Sequence, residues 1–158
     1  MCFSLCDVLK LKQKDINKLM NIDEVEDAPL FSFEGQTHTA KVVSVYDGDT
    51  IKIIFPFNGQ VFKWNCRLSG VDTPELRTRC LPEKKYGYEV RDYLREKILN
   101  KVIEVKCGEF DKYGRLLIDI FCKDETCSVN QWLIDSKYAF AYDGGTKQSW
   151  QEYLENQA

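Results

Sequence analysis

TAKVVSVYDGDTIKIIFPFNGQVFKWNCRL, residues 39–68, decides how the chain folds. Its apolar residues recur at every second position, the period of a half-buried strand. AKVVSVY is rich in β-branched residues, which suit a pleated surface. TIKIIF sets Ile51, Ile53 and Phe55 against polar partners, and VFKWNCRL puts Phe62, Trp64, Cys66 and Leu68 on one face. Between them, Asn58-Gly59 offers two residues that tolerate positive φ, the chemistry of a tight hairpin turn. The expectation is a three-stranded meander.

Downstream the period changes. EKKYGYEVRDYLREKIL, residues 83–99, aligns Val90, Tyr93, Leu94 and Ile98 on one helical stripe. KVIEVKC and RLLIDIF return to strand character around the turn EFDKYG. Ser128 and Gln131 then make a Ser-x-x-Gln capping box ahead of Trp132, Leu133 and Ile134, which predicts a second helix. After AYDGGTK, the segment QSWQEYLENQ fits a third. Three strands, a helix, two strands and a helix predict an α+β fold. Its centre is a five-stranded Greek-key barrel of the OB kind, with about three helices. Such barrels bind nucleic acid or sugars on one face, yet the fold alone assigns no function.

Upstream, residues 1–37 read as an acidic leader, partly helical or flexible. LCDVLKLKQKDINKLMNI fits a short amphipathic helix with Leu9, Ile16, Leu19 and Met20 on one side; EVEDAP ends it by charge and by Pro29. A docked helix and a loose arm both remain open. Residues 38–142 form the expected barrel domain, and 143–158 a C-terminal turn and helix.

Composition bounds the function classes. A chain of 158 residues with 44% hydrophobic and 30% charged residues is expected to build one globular core. No apolar run approaches the roughly 20 residues of a membrane span. The start, MCFSLCDVLK, lacks the basic and long apolar regions of a secretory signal, so an intracellular, cytoplasmic location is the default expectation. Cysteines at 2, 6, 66, 80, 107, 122 and 127 form no CxxC pair, and the single His38 completes no zinc set, so free thiols are expected. Cys2 and Cys6, near the start, are the positions where S-acylation is conceivable. The net charge of −3 looks wrong for a nucleic-acid binder. The leader, however, holds four Lys against seven Asp/Glu, which leaves 18 charges of each sign in the remainder. A local basic face on the body therefore remains open.

Four short charged clusters stand out: YDGDT at 46–50, RLSGVDTPEL at 67–76, DKYGR at 111–115 and AYDGGTK at 141–147, the carboxylates of the first two lying beside predicted strand ends. Each alone reads as a solvated turn. Together they bring Asp47, Asp49, Asp72 and Glu75, whose like charges call for a counter-ion if the strand ends adjoin. Oxygen-only ligands favour a hard divalent cation, Ca²⁺ or Mg²⁺. Arg67 and Arg115 add planar forks suited to phosphate. An EF-hand is excluded, because its D-x-[DN]-x-[DN]-G spacing is absent, and DGGTK is not a P-loop. The DGGTK segment reads as a turn at the site mouth, with Lys147 a candidate for contact with a backbone phosphate.

With DGDT, RLSGVDTPE and DKYGR in this order, and a helix between the second and third, the chain resembles the staphylococcal nuclease (thermonuclease) family over about residues 38–142. The resemblance implies that Asp49 and Asp72 are calcium-ligating carboxylates, and that Thr73 ligates through its backbone carbonyl. Asp47 then stands behind these direct ligands. Glu75 falls at the position of the general base, Arg67 and Arg115 at the pair that clamps the scissile phosphate, and Lys112 and Tyr113 in a turn that contacts the nucleotide's terminal phosphate. The implied reaction is Ca²⁺-dependent hydrolysis of DNA and RNA, single strands favoured, at the 5′ P–O bond to leave 3′-phosphates. A monomer is expected. The alternative is a barrel of the same family that binds RNA or protein without cleaving. The family's stacking tyrosines do not align cleanly; Tyr138 and Tyr142 stand as candidates, with core packing as the competing reading.

Overall fold

The computed structural model describes residues 5–22, 28–123 and 125–156, and the side chains among them from residue 13 onward. Packing divides the chain into two units, Met1–Phe31 and Ser32–Ala158. The first contains one helix, α1 (Leu5–Met20). Its Ile16, Leu19 and Met20 are exposed. Leu9, assigned to the same apolar side, has a side chain outside the described residues, as do Cys2 and Cys6.

The second unit is built on the predicted meander. Strands β1 (Thr37–Val45), β2 (Thr50–Phe57) and β3 (Gln60–Leu68) pair in sequence, antiparallel. Asn58 and Gly59 both adopt positive φ, 48° and 77°, so the turn matches the twist of its two strands. Strands β5 (Val102–Phe110) and β6 (Leu116–Phe121) pair antiparallel. The five close in the order β1-β2-β3-β6-β5, with a single parallel seam at β3–β6. Closure gives each barrel strand a partner on both sides, the β3–β6 seam through Cys66–Leu68. Its inward rows come from the period-two pattern: Ile51, Ile53 and Phe55 face Ile103, Val105, Cys107, Leu116, Ile118 and Ile120 in one dry core.

Two short strands escape the sequence reading. β4 (Val71–Asp72) and β7 (Phe140–Ala141) pair as Val71↔Ala141 and Asp72↔Phe140. Two residues cannot show a period, so nothing in the pattern marked them.

Three helices accompany the barrel: α2 (Leu81–Ile98), α3 (Val129–Asp135) and α4 (Trp150–Glu155). Val90, Leu94 and Ile98 of α2 are buried as the stripe predicts. Tyr93 is not; it is 46% exposed and stacks on Tyr138 at 4.9 Å between ring centres. Ser128 caps α3 by accepting the Gln131 N–H at 3.1 Å, one half of the predicted capping box, while the Gln131 amide donates forward to Asp135 at 2.7 Å. Asn130, 4% exposed, ties α3 to the barrel. It accepts the Ile120 N–H and donates to the carbonyls of Ser69 and Ile118.

The boundary between the units falls before Ser32, upstream of the one that charge suggests. Phe33 explains the shift. It is fully buried and packs edge-on against Phe55, Phe57, Trp64 and His38 at 4.9–5.5 Å, closing one end of the barrel. Burying such a ring is worth about 1.5–3 kcal/mol, enough to fix the chain around it. His38 stacks on Phe55 at 4.4 Å and meets Gln36 Oε1, a packed ring rather than a ligand.

Candidate active site

Asp47 shapes the loop between β1 and β2. Its Oδ1 accepts the N–H groups of Asp49 at 3.1 Å and Thr50 at 2.7 Å, an Asx turn. Gly48 completes the loop by having no side chain: a Cβ there would stand 2.7 Å from Cβ of Thr73. The DGDT loop and the VDTPE run are therefore in contact.

Asp49 is 6% exposed. Arg67, at the end of β3, places Nη1 2.7 Å from Asp49 Oδ2 and donates from Nη2 to the Val71 carbonyl. Thr50 Oγ1 donates to Asp49 Oδ1 at 2.9 Å and accepts from Arg115 Nη1 at 3.3 Å. Arg115 in turn holds Asp111 Oδ2, with Nε at 2.8 Å and Nη2 at 2.7 Å. The two arginines thus belong to one continuous chain, Arg67–Asp49–Thr50–Arg115–Asp111. Burial pushes the Asp49 carboxyl up to about 7, against the opposing pull of Arg67. Asp111 is held below the ordinary carboxylate range. Partial burial works against this, but the Arg115 and Tyr113 N–H groups and the Arg115 guanidinium outweigh it.

Asp72 and Thr73 are buried, at 2% and 4% exposure, and follow directly on Arg67's strand through β4. Lys147 sets Nζ 2.6 Å from Asp72 Oδ1 and 3.2 Å from Glu75 Oε1. Partial burial disfavours the Lys147 ammonium, yet the two carboxylates outweigh it and raise its pKa. Glu75 itself is exposed, and its backbone N–H is anchored to Glu83 Oε1 at 3.1 Å. Gly87 lets α2 approach this turn: a Cβ there would lie 2.9 Å from the Pro74 carbonyl oxygen.

A cleft of about 630 Å³ opens beside the two arginines, and Asp49, Asp72 and Thr73 are not among its lining residues. Arg67, Glu75, Arg115, Lys147, Lys112 and Tyr113 all line it. Tyr113 is 72% exposed, with Lys112 Nζ 5.1 Å and the Arg115 guanidinium 5.6 Å from its ring. Tyr142 also lines the cleft, with Lys147 Nζ 6.0 Å from its ring. Tyr138 does not; it packs between Tyr93 and Trp132.

Sequence reasoning missed four supports. Thr50 and Asp111 stand inside quoted motifs, and their polar side chains were the available signal. The Val71 carbonyl and Glu83 gave none, because a backbone acceptor and a first-turn helix acid look ordinary.

Among the described residues, no group of three or more His, Cys, Asp or Glu is gathered as a metal site, and no helix is long and apolar enough to cross a membrane. The candidate cation set is smaller: two buried carboxylates and a backbone carbonyl. It consists of oxygen donors only, and one of them, Asp72 Oδ1, is buried with the Lys147 ammonium 2.6 Å away. Such a set fits a hard cation.

Comparison with known proteins agrees with the geometry. The family described as Staphylococcal nuclease homologue matches residues 65–158. A thermonuclease of Staphylococcus hyicus is 36% identical over 89 residues, 55% of this chain and 50% of its own. An uncharacterized protein of Methanocaldococcus jannaschii is 32% identical over 124 residues, 65% of this chain and 58% of its own. An uncharacterized endonuclease of Escherichia coli O157:H7 is 28% identical over 103 residues, 65% of this chain and 60% of its own. The chain spans about half the length of the curated relatives it matches. Barrel, cleft and matched residues converge on one assignment: the chain belongs to the staphylococcal nuclease homologue family.

Proposed function

We propose that the chain is a Ca²⁺-dependent nuclease that hydrolyses DNA and RNA, single strands favoured, at the 5′ P–O bond to leave 3′-phosphates. The observation that carries the reading is the chain of contacts Arg67–Asp49–Thr50–Arg115, which fixes two guanidiniums at one cleft with Glu75 on its wall. Residues 32–142 supply the cleft's barrel and clamp, and residues 143–158 add Lys147 and the docked C-terminal helix.

Asp49, Asp72 and the Thr73 carbonyl are the groups that would hold Ca²⁺, with Asp47 orienting the loop behind them. When bound, the ion supplies positive charge beside the phosphate and the attacking water. Arg67 and Arg115 each keep N–H groups that their structural contacts do not use, and these are the donors for phosphoryl oxygens. A phosphodiester carries one negative charge; the five-coordinate state reached on attack carries two. Fixed guanidiniums therefore stabilise that state more than the substrate, which lowers the barrier. Glu75 takes the proton from the water oxygen as it closes on phosphorus. As the 5′ oxygen leaves with its electron pair, it takes up a proton from solvent. Lys112 and Tyr113 border the far wall, where a terminal phosphate fits.

The alternative is a barrel of the same family that binds without cleaving; Arg67, Arg115, Asp49, Asp72 and Glu75 together favour cleavage over it. One assay separates the two: incubation with DNA and with RNA, in Ca²⁺ and in chelator, followed by end-group analysis. Loss of full-length strands only with Ca²⁺, with 3′-phosphate ends, is the expected result. Intact strands under both conditions would overturn the enzyme reading.

A further inference from the structure

A second groove lies outside the cleft. About 540 Å³ in volume, it is lined by Arg77, Lys84, Arg91 and Arg95 together with Tyr46 and Tyr88, and no carboxylate lines it. Lys84, Tyr88, Arg91 and Arg95 are spaced 4, 3 and 4 along α2, so one face of the helix carries all four. Both tyrosines are exposed, at 47% and 41%. The Arg77 guanidinium stands 5.7 Å from the Tyr46 ring, and that of Arg91 4.7 Å from the Tyr88 ring. Arg91 is also held by Asp92, through Nε at 2.9 Å and Nη2 at 2.7 Å. Arg77, Lys84 and Arg95 make no ion pair among the described residues.

We propose that this groove binds the sugar–phosphate backbone of the substrate strand beyond the scissile phosphate, an inference that rests on the nuclease reading of the cleft. Charge complementarity is the first argument. Positive and negative side chains balance over residues 38–158 as a whole, yet here four cations gather with one partly neutralised. Like charges held together in a groove repel unless an anion of repeating charge runs along them. Exposed rings among cations are the second argument, since bases stack on aromatic faces while basic side chains follow the backbone. Continuity is the third. Tyr46 precedes Asp47, and Arg77 lies two residues after Glu75, within about 7 Å of extended chain. OB-type barrels engage about 4–16 nucleotides each, so a strand whose scissile phosphate sits in the cleft must run on across a neighbouring surface. The groove begins where the two catalytic loops end.

The test uses the full chain carrying Arg77→Ala and Arg95→Ala together. Binding of a fluorescein-labelled single strand of about 30 nucleotides, longer than one barrel's site, is read by anisotropy in chelator across a salt series. Cleavage of a thymidine dinucleotide is measured separately in Ca²⁺. The expected result is about tenfold weaker strand binding, a salt slope shallower by about 1.4 from two lost phosphate contacts, and an unchanged dinucleotide rate. Arg77→Lys with Arg95→Lys keeps the charge and should restore most of the affinity. Unchanged strand affinity and slope in the alanine variant would overturn the proposal. So would a lysine variant as weak as the alanine one, or an alanine variant that loses dinucleotide cleavage as well. If the parent chain cleaves neither the dinucleotide nor the strand of about 30 nucleotides in Ca²⁺, the nuclease reading fails, and the anisotropy series still decides the groove.

Discussion

Lys147 places its ammonium 2.6 Å from Oδ1 of Asp72, one of the proposed cation ligands. The same ammonium lies 3.2 Å from Glu75 Oε1. One positive charge thus offsets two carboxylates, and a Ca²⁺ ion would compete with it. Lys147→Met should lower the melting temperature in chelator, because Asp72 loses its counter-ion. Added Ca²⁺ should close that gap, with binding tightened about tenfold, or about 1.4 kcal/mol. Calorimetry with and without Ca²⁺ reads both effects. A Ca²⁺-induced shift no larger than in the parent would show that Lys147 does not compete.

Glu75→Gln and Arg115→Ala address the chemistry. Glu75 is exposed, and Arg115 reaches into the cleft from the turn after β5, so neither substitution opens the core. Each should lower kcat by about 10²–10³, the range for removing a proton acceptor or an electrostatic donor. Circular dichroism should remain that of the parent. Parental rates in either variant would relocate the site.

Gly48→Ala tests the contact between the two motif loops. The new Cβ would stand 2.7 Å from Thr73 Cβ, closer than carbon atoms tolerate. Relief requires one loop to move, at a cost of about 1–3 kcal/mol. Stability and activity should fall together, read from a urea titration and from initial rates. A stable, fully active variant would mean that the loops are not held in contact.

The thiols should sort by burial. Burial pushes the Cys66 thiol far up and that of Cys107 up to about 11, so neither offers thiolate at neutral pH. Cys127 is exposed. Of these three, Cys127 should react first with a thiol reagent in the native state, and Cys66 and Cys107 only on unfolding. Peptide mapping after brief alkylation distinguishes the order.

Trp150→Ala tests the C-terminal dock. Trp150 is 4% exposed and stacks on Phe140 at 4.0 Å between ring centres. Removing a buried ring of this size costs about 3–5 kcal/mol. Activity should fall as well, because Phe140 is the ladder partner of Asp72. Full activity after loss of the tryptophan would separate the dock from the site.

The barrel was legible because five strands and the α2 stripe carry strong periods, and Asn58-Gly59 marks its turn without ambiguity. The cleft was legible because three short motifs hold its groups in fixed order. What stayed hidden lacks any local signature. β4 and β7 are two residues each, and Lys147 meets Asp72 across much of the chain. Phe33 looked like part of a polar leader, since composition averaged over a segment hides one ring that plugs a barrel. Tyr93 sat on the correct stripe at its edge, where Tyr138 rather than the core receives it.

The small ladder between β4 and β7 has a consequence for the chain's birth. Asp72 leaves the ribosome well before its partner Phe140, the lysine at 147 and the tryptophan at 150. All five barrel strands precede Phe140, so a growing chain can close its barrel while Asp72 still waits for the strand that pairs with it.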